Sequence, residues 1–248
     1  YPSLARWIKS WRDLPVLINQ WANVVRWELR PRLFLRTMEF LWQEGHTAHA
    51  THKEAEAEVL RILNIYQQLV EEYLAIPVIP GVKSETEKFA GALRTFTIES
   101  LTQDGKALQV GTSHDLGQNF ARVFNISFQD QKGRSRYVWQ TCWGVSTRLI
   151  GGIIMVHGDD KGVILPPKVA PIQVVIIPVK VDGKEGEKIV QKAKEFWGKL
   201  EKAGMKVFFD SRDHLTFGEK HYDWEKKGVP IRIEFGLREL NQKKVILV

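Results

Sequence analysis

Cysteine is almost absent from this chain. One residue, Cys142, among 248 excludes an internal disulfide framework and any zinc site built from several cysteines. A reducing, cytoplasmic setting is the simple expectation. Long apolar runs are missing too. The longest candidate, Leu149 to Val156, falls far short of the ~20 residues that span a bilayer, so no membrane partner is expected. Nothing at the start reads as a secretory leader, so none is expected. No Gly-x-x-x-x-Gly-Lys-Ser/Thr phosphate loop, Ser-His-Asp signature, internal repeat or low-complexity tract occurs. An initiator methionine is also lacking: Tyr1-Pro2-Ser3-Leu4 runs at once into a tryptophan-rich segment, and Lys244 to Val248 reads as a strand that stops. Both ends suggest part of a longer polypeptide.

What is present describes a globular protein. The sequence is 44% hydrophobic and 26% charged, enough for a core. A formal charge of +7 suits a polyanionic partner such as nucleic acid. Apolar spacing predicts a helix from Leu4 to about Asn19. Strand-like runs Trp21 to Leu29 and Phe40 to Ala50, joined through Arg30-Pro31-Arg32, predict an antiparallel hairpin. Thr51 with Glu54 forms a capping box that opens a helix, with Ala55, Val59, Ile62, Leu63, Tyr66, Leu69, Val70 and Tyr73 on one face. Strands are expected at Arg94–Ile98, Ala107–Val110 and Tyr137–Trp143, then a short helix from about Val145 to His157. After Pro166-Pro167 the pattern changes to a β-branched run, Gln173–Val179, a lysine-rich amphipathic helix, Glu185–Ala203, and strands at Lys206–Asp210, Pro230–Phe235 and Lys244–Val248. That order argues for a small α/β domain.

The segment richest in chemistry is Arg26-Trp27-Glu28, a loop, then Arg36-Thr37-Met38-Glu39-Phe40. It places an arginine on each strand of a hairpin, an acid beside the first and an aromatic ring on the second. Two converging guanidinium groups suit a triphosphate, through bidentate bonds to phosphate oxygens. The ring can stack on a purine. In an arbitrary hairpin, solvated arginines and a core phenylalanine are the commoner case. His46, His49 and His52 invite a metal reading, but positions three apart on a strand face opposite sides, so structural roles are expected. Asp159 and Asp160 are read as a turn after a helix, Cys142 as a small buried side chain, and the lysines from Lys184 to Lys202 as a solvated helix face.

The hairpin resembles motif 2 of class II aminoacyl-tRNA synthetases, Arg-x-Glu, loop, Arg-x-x-x-Phe. Trp143-Gly144-Val145-Ser146-Thr147-Arg148 resembles motif 3. Between them stand Phe40-Leu41-Trp42-Gln43-Glu44-Gly45-His46, Glu87-Lys88-Phe89-Ala90-Gly91, Gly111-Thr112-Ser113-His114 and Leu116-Gly117-Gln118-Asn119-Phe120, which are similar to the prolyl enzymes in particular. The likeness continues through Gly158-Asp159-Asp160-Lys161-Gly162, Leu165 to Pro171, Arg212-Asp213, and Trp224-Glu225-x-Lys227-Gly228-Val229-Pro230. It covers nearly the whole chain.

The resemblance implies an α+β catalytic domain on an antiparallel sheet, residues 1–168, incomplete and lacking motif 1. A C-terminally truncated α/β anticodon-binding domain would follow, residues 169–248. It implies activation of L-proline with ATP and Mg²⁺ and transfer of the prolyl group to tRNA(Pro), in a homodimer. Arg26, Arg36 and Arg148 would stabilise phosphate charge. Glu28, Thr37, Phe40, Gln109, Thr112 and Ser146 would complete the ATP site, with Gln109 near the magnesium. Arg26, Trp42, Glu44, Phe89 and His114 would form the proline pocket, and Arg212, Lys220, Glu225 and Glu234 would contact the anticodon. Phe217 and Glu219 depart from the family pattern. The short stretch between Phe40 and Arg148 leaves no room for an inserted editing domain, which suggests the archaeal/eukaryote-like branch. Motif 1 and the Thr-x-Glu loop that holds the proline amine would precede Tyr1, so this piece alone is expected to be inactive or weak. A synthetase-like RNA-binding or regulatory protein, or a ligase adenylating another carboxylate, are the alternatives.

Overall fold

Pro15 breaks the first predicted element. The opening helix, α1 (Pro2–Trp7), ends at Ile8, and a 3₁₀ turn at Trp11–Asp13 is capped by Ser10. A helix carried on to Asn19 would place Pro15 in its interior, without an N–H to donate and with its ring against the preceding turn. Instead strand β1 (Val16–Val25) begins there and pairs antiparallel with β2 (Glu39–His49), from Val16 opposite Ala48 to Val25 opposite Glu39. The hairpin is as expected; its first strand starts five residues earlier than the apolar run suggested.

The computed structural model describes residues 1–179 and 183–248, and these form two units, Tyr1–Val156 and His157–Val248. In the first, α2 (His52–Gln68) is capped by Thr51 and Glu54 in the expected reciprocal box. It buries Ala55, Val59, Ile62, Leu63 and Tyr66, and Val70 in the following turn. Tyr73, assigned to the same face, is exposed, because a π-type turn at Leu69–Tyr73 rotates it off the apolar stripe. Strands β3 (Ile79–Val82), β4 (Arg94–Leu101) and β5 (Ala107–Gly117) follow, then α3 (Asn119–Val123), a small ribbon of β6 (Ser127–Gln129) and β7 (Ser135–Tyr137), β8 (Trp139–Ser146) and α4 (Arg148–His157). Six strands make one antiparallel sheet in the order β1-β2-β8-β5-β4-β3. Helix α4 starts later than its apolar pattern suggested, because Gly144 and Val145 are still paired with Thr112 and Gln43.

Asp115 ties this sheet to α2. Its side chain has no solvent exposure, and its carboxylate accepts from His52 Nε2 (2.8 Å), Arg94 (3.1 Å) and the Gly117 N–H (3.0 Å). A buried carboxylate without such partners would be strongly destabilising. His49 is likewise buried, bonded to Thr47 at 2.8 Å. His46, His49 and His52 therefore do not converge.

In the second unit, β9 (Val174–Pro178), α5 (Lys184–Lys202), β10 (Val207–Phe209), α6 (Phe217–Lys226), β11 (Ile231–Phe235), α7 (Leu237–Gln242) and β12 (Ile246–Leu247) follow in order. The sheet runs β10-β9-β11-β12, parallel except at β12. All five residues of β9 are buried, as a β-branched run with helices on both faces requires. Asp159 closes a tight loop by accepting the N–H groups of Lys161 and Gly162.

Candidate active site

Alternation along three neighbouring strands builds the site. On β2, Phe40, Trp42, Glu44 and His46 share one face; on β8 so do Cys142, Gly144 and Ser146; on β5, Thr112 and His114. These side chains line one cleft of about 600 Å³, together with Arg26, Phe89, Gln109, Phe120 and Arg148. Gly45, between Glu44 and His46, makes the packing possible. A Cβ there would lie 1.5 Å from Cζ3 of Trp143, the residue opposite it on β8.

Two arginines on the lining, with Arg36 nearby, give the cleft its charge. Arg26 stands between Phe40 and Trp42, its guanidinium carbon 5.3 Å from each ring centroid. Arg148 donates from Nε to the Leu35 carbonyl at 3.0 Å, and its backbone N–H reaches Ser146 Oγ at 3.2 Å. Burial, then the like charges of Arg36 and Arg26, lower the Arg148 pKa. Positive charge brought together at this cost in repulsion is suited to an anion.

At the other end the surface is aromatic and polar. Phe89 and His114 pack with centroids 5.0 Å apart, and His114 Nδ1 lies 3.0 Å from Thr95 Oγ1. Burial holds the His114 pKa down at about 4, so the ring is neutral at ordinary pH. Glu44 lies beneath, with Oε2 accepting from Gln20 at 2.8 Å and Oε1 3.0 Å from His46 Nε2. Burial beside Glu44 raises the Cys142 thiol to about 12.

Of the residues expected here, Arg26, Phe40, Trp42, Glu44, Phe89, Gln109, Thr112, His114, Ser146 and Arg148 line the one cleft. Three do not. Glu28 and Arg36 pair with each other at 3.5 Å outside it, and Thr37 lines a neighbouring surface groove with its hydroxyl bonded to the Glu39 carbonyl. Tyr1, Lys83 and Thr95 line the cleft without having been singled out by sequence, and Glu87 and Phe120, quoted there only within motif blocks and given no role, line it too. His46 and Cys142, expected as structural side chains, line it as well.

In the second unit the four residues expected at an anticodon are all internally paired. Arg212 holds Asp210 through two bonds, 3.0 and 2.7 Å, and Asp223 at 2.7 Å. Lys220 is 2% exposed, with Nζ 3.3 Å from the Asp210 carbonyl. Glu225 meets Arg232 at 3.4 Å, and Glu234 meets His221 Nδ1 at 2.6 Å.

Comparison with known proteins gives the family of each unit. Residues 173–248 match the family described as an anticodon binding domain. A proline--tRNA ligase from Chlorobium chlorochromatii (strain CaD3) is 58% identical over 240 residues, 97% of this chain and 50% of the relative. One from Natranaerobius thermophilus is 57% identical over 242 residues, 98% and 50% respectively. One from Phocaeicola vulgatus is 58% identical over 234 residues, 94% and 47%. The chain thus spans about half the length of the curated relatives it matches. Residues 3–157, the unit that carries the cleft, match the tRNA synthetase class II core domain (G, H, P, S and T), and the chain belongs to that family.

Proposed function

We propose that the cleft activates L-proline with ATP and that the parent protein transfers the prolyl group to the 3′ end of tRNA(Pro). The observation that carries this reading is the pair Arg26 and Arg148 on one cleft with Phe40 and Trp42, with Arg36 close enough to add its like charge at Arg148; this is a setting suited to a polyphosphate beside a stacked base. The names of the relatives point the same way.

The chemistry asks for alignment rather than a protein nucleophile. A proline carboxylate oxygen forms a bond to the α-phosphorus, the bond to the bridging oxygen breaks, and pyrophosphate leaves with the electron pair. Arg26, at the junction of the arginine and aromatic ends, serves the α-phosphate and the carboxylate. Arg148 and Arg36 hold the outer phosphates as charge shifts onto them. Phe40 offers a stacking face to the adenine, and Glu28, Thr37, Thr112 and Ser146 complete the nucleotide contacts. Trp42, Phe89 and His114 fit the small apolar pyrrolidine ring, and a neutral His114 adds no charge to repel its ammonium nitrogen. The hard oxygen of the Gln109 amide suits a Mg²⁺ brought with the nucleotide, which when bound neutralises phosphate charge. Arg212, Glu225 and Glu234 would read the anticodon by exchanging their internal partners for RNA, with the buried Lys220 supporting Asp210 behind Arg212. A cytoplasmic homodimer is the setting of this reading.

The test is ATP–pyrophosphate exchange by the full-length parent with proline, alanine and cysteine in turn. Proline-dependent exchange is expected, and Arg26→Ala should cost about 2.7–4 kcal/mol in that step, as for one lost charge contact. Exchange with none of the three, or only with another amino acid, would overturn the reading.

A further inference from the structure

Three chemically different donors meet on the cleft floor. Glu44, His46 and Cys142 each offer one ligand atom, and these lie within 4.8 Å of one another. The strands bring them together: Glu44 and His46 are two apart on β2, and Cys142 is the partner of His46 across the β2–β8 pair. Each atom turned away from the cluster is already held. Gln20 binds Glu44 Oε2 at 2.8 Å, and Tyr1 Oη lies 3.2 Å from His46 Nδ1. That leaves Glu44 Oε1 and His46 Nε2, 3.0 Å apart, beside Cys142 Sγ. Outer partners of this kind fix the orientation and basicity of metal ligands.

We propose that Glu44, His46 and Cys142 bind a thiophilic divalent cation, zinc in particular, with its fourth position open to the cleft. Mixed sulfur, nitrogen and oxygen donors select zinc over magnesium or calcium, which take oxygen. Three protein ligands with one position free is the accessible rather than the closed kind of zinc site. Bonds of about 2.0–2.1 Å to nitrogen and oxygen put tetrahedral ligands about 3.3 Å apart. His46 Nε2 and Glu44 Oε1 already stand at 3.0 Å, and Cys142 Sγ, within 4.8 Å of that pair, closes on the ion by turning about its Cα–Cβ bond. Ligation forms metal–oxygen, metal–nitrogen and metal–sulfur bonds, displaces water from the ion and releases the thiol proton to solvent. The consequence for activity rests on the proline reading above: the ion sits at the floor of the amino-acid pocket, so zinc competes with proline and not with ATP.

Cobalt(II) is the probe, and the single cysteine makes it selective, since any thiolate-to-cobalt charge-transfer band must come from Cys142. The 248-residue chain should develop that band, with tetrahedral d–d absorption, at one equivalent of cobalt, and zinc should bleach it. Cys142→Ser should abolish it, and His46→Gln and Glu44→Gln should each weaken cobalt binding ten-fold or more, with circular dichroism confirming that each variant is folded. No band in the parent sequence would overturn the site. So would affinity unchanged in both His46→Gln and Glu44→Gln, the mark of adventitious binding to one thiol. In the full-length protein, micromolar zinc should raise the apparent KM for proline and leave that for ATP unchanged; inhibition indifferent to proline would overturn the competition. A cobalt band without any proline-dependent exchange would uphold the metal site and discard the proline reading.

Discussion

Single residues set the shape and charge of the cleft, and two of them make this measurable. Gly45 gives its space to the Trp143 ring, so Gly45→Ala must drive the indole away from β2. A loss of about 1–3 kcal/mol in urea unfolding is expected, as for overpacking elsewhere; an unchanged midpoint would mean that Trp143 moves freely. His114 gives a pH dependence of defined sign. Its folded pKa, about 4, lies below the ordinary 6.5, so the native state binds fewer protons than the unfolded chain between those values. Its contribution is complete above about pH 6.5 and is lost as pH falls toward 4. His49 is lowered in the same sense by burial, so the comparison that isolates His114 is the parent against His114→Asn. The variant should lose part of the decline in stability between pH 7 and 5, and equal slopes would refute the assignment. At this scale the family resemblance, not strand alternation, brought Thr112, His114 and Ser146 forward, since the strands expected there stopped at Val110 and Trp143; the pleat of β2, β5 and β8 explains why these side chains share one cleft. The sequence did not show that Glu28, Arg36 and Thr37 lie beside the cleft rather than on its lining, because residues in a loop between strands have no fixed period. The three histidines stand apart as their spacing implied, but the neighbours of His46, Glu44 on the same face and Cys142 on the strand alongside, depend on strand pairing that one strand read alone does not give.

At the scale of elements, local signals that satisfy the backbone were the most legible. The Thr51–Glu54 box does what its spacing promised: Glu54 N–H donates to Thr51 Oγ1 at 3.3 Å, and Glu54 Oε2 accepts from Thr51 N–H at 3.3 Å and Ala50 N–H at 3.1 Å. Thr51→Ala should therefore cost about 1 kcal/mol, read as a lowered thermal midpoint. Thr51→Asn, which can cap in the same way, should recover most of it, and failure to do so would point to a role outside the cap. Elements whose cause lies elsewhere in the fold were not legible. The six-residue α7 and three-residue β6 and β7 are too short for a periodic pattern. Helix α6 carries a capping box, Thr216 with Glu219, that could have revealed it from spacing alone. The false extension of α1 arose because apolar residues in Trp11–Ile18 happen to repeat at helical spacing while serving a turn and then an edge strand.

For the whole molecule, each unit has its own apolar core. Ala48, Ile126 and Phe128 centre one cluster in the first; Val174, Ile176, Ile189 and Phe235 centre one in the second. The second also has a buried polar hub at Asp210. Its carboxylate, with no side-chain exposure, accepts from Arg212 at 3.0 and 2.7 Å and from Trp224 Nε1 at 2.7 Å, with Lys220 Nζ at 3.8 Å. Burial would push its pKa up, but the bonds from Arg212 and Trp224 outweigh it and hold the group at about 2. Its contribution is present above the ordinary carboxylate pKa of 3.8 and is lost as pH falls toward 2. Asp210→Asn removes the charge, turns amide hydrogens toward the Arg212 and Trp224 donors, and leaves Lys220 buried against a neutral neighbour. Breaking a buried pair from one side costs about 3–5 kcal/mol. Because the hub and its partners all belong to the second unit, the loss should appear in that unit alone. Calorimetry of the chain should resolve two transitions, of which Asp210→Asn lowers one by more than about 10 °C and leaves the other in place. A single transition that moves as a whole would show instead that the two cores unfold as one cooperative body.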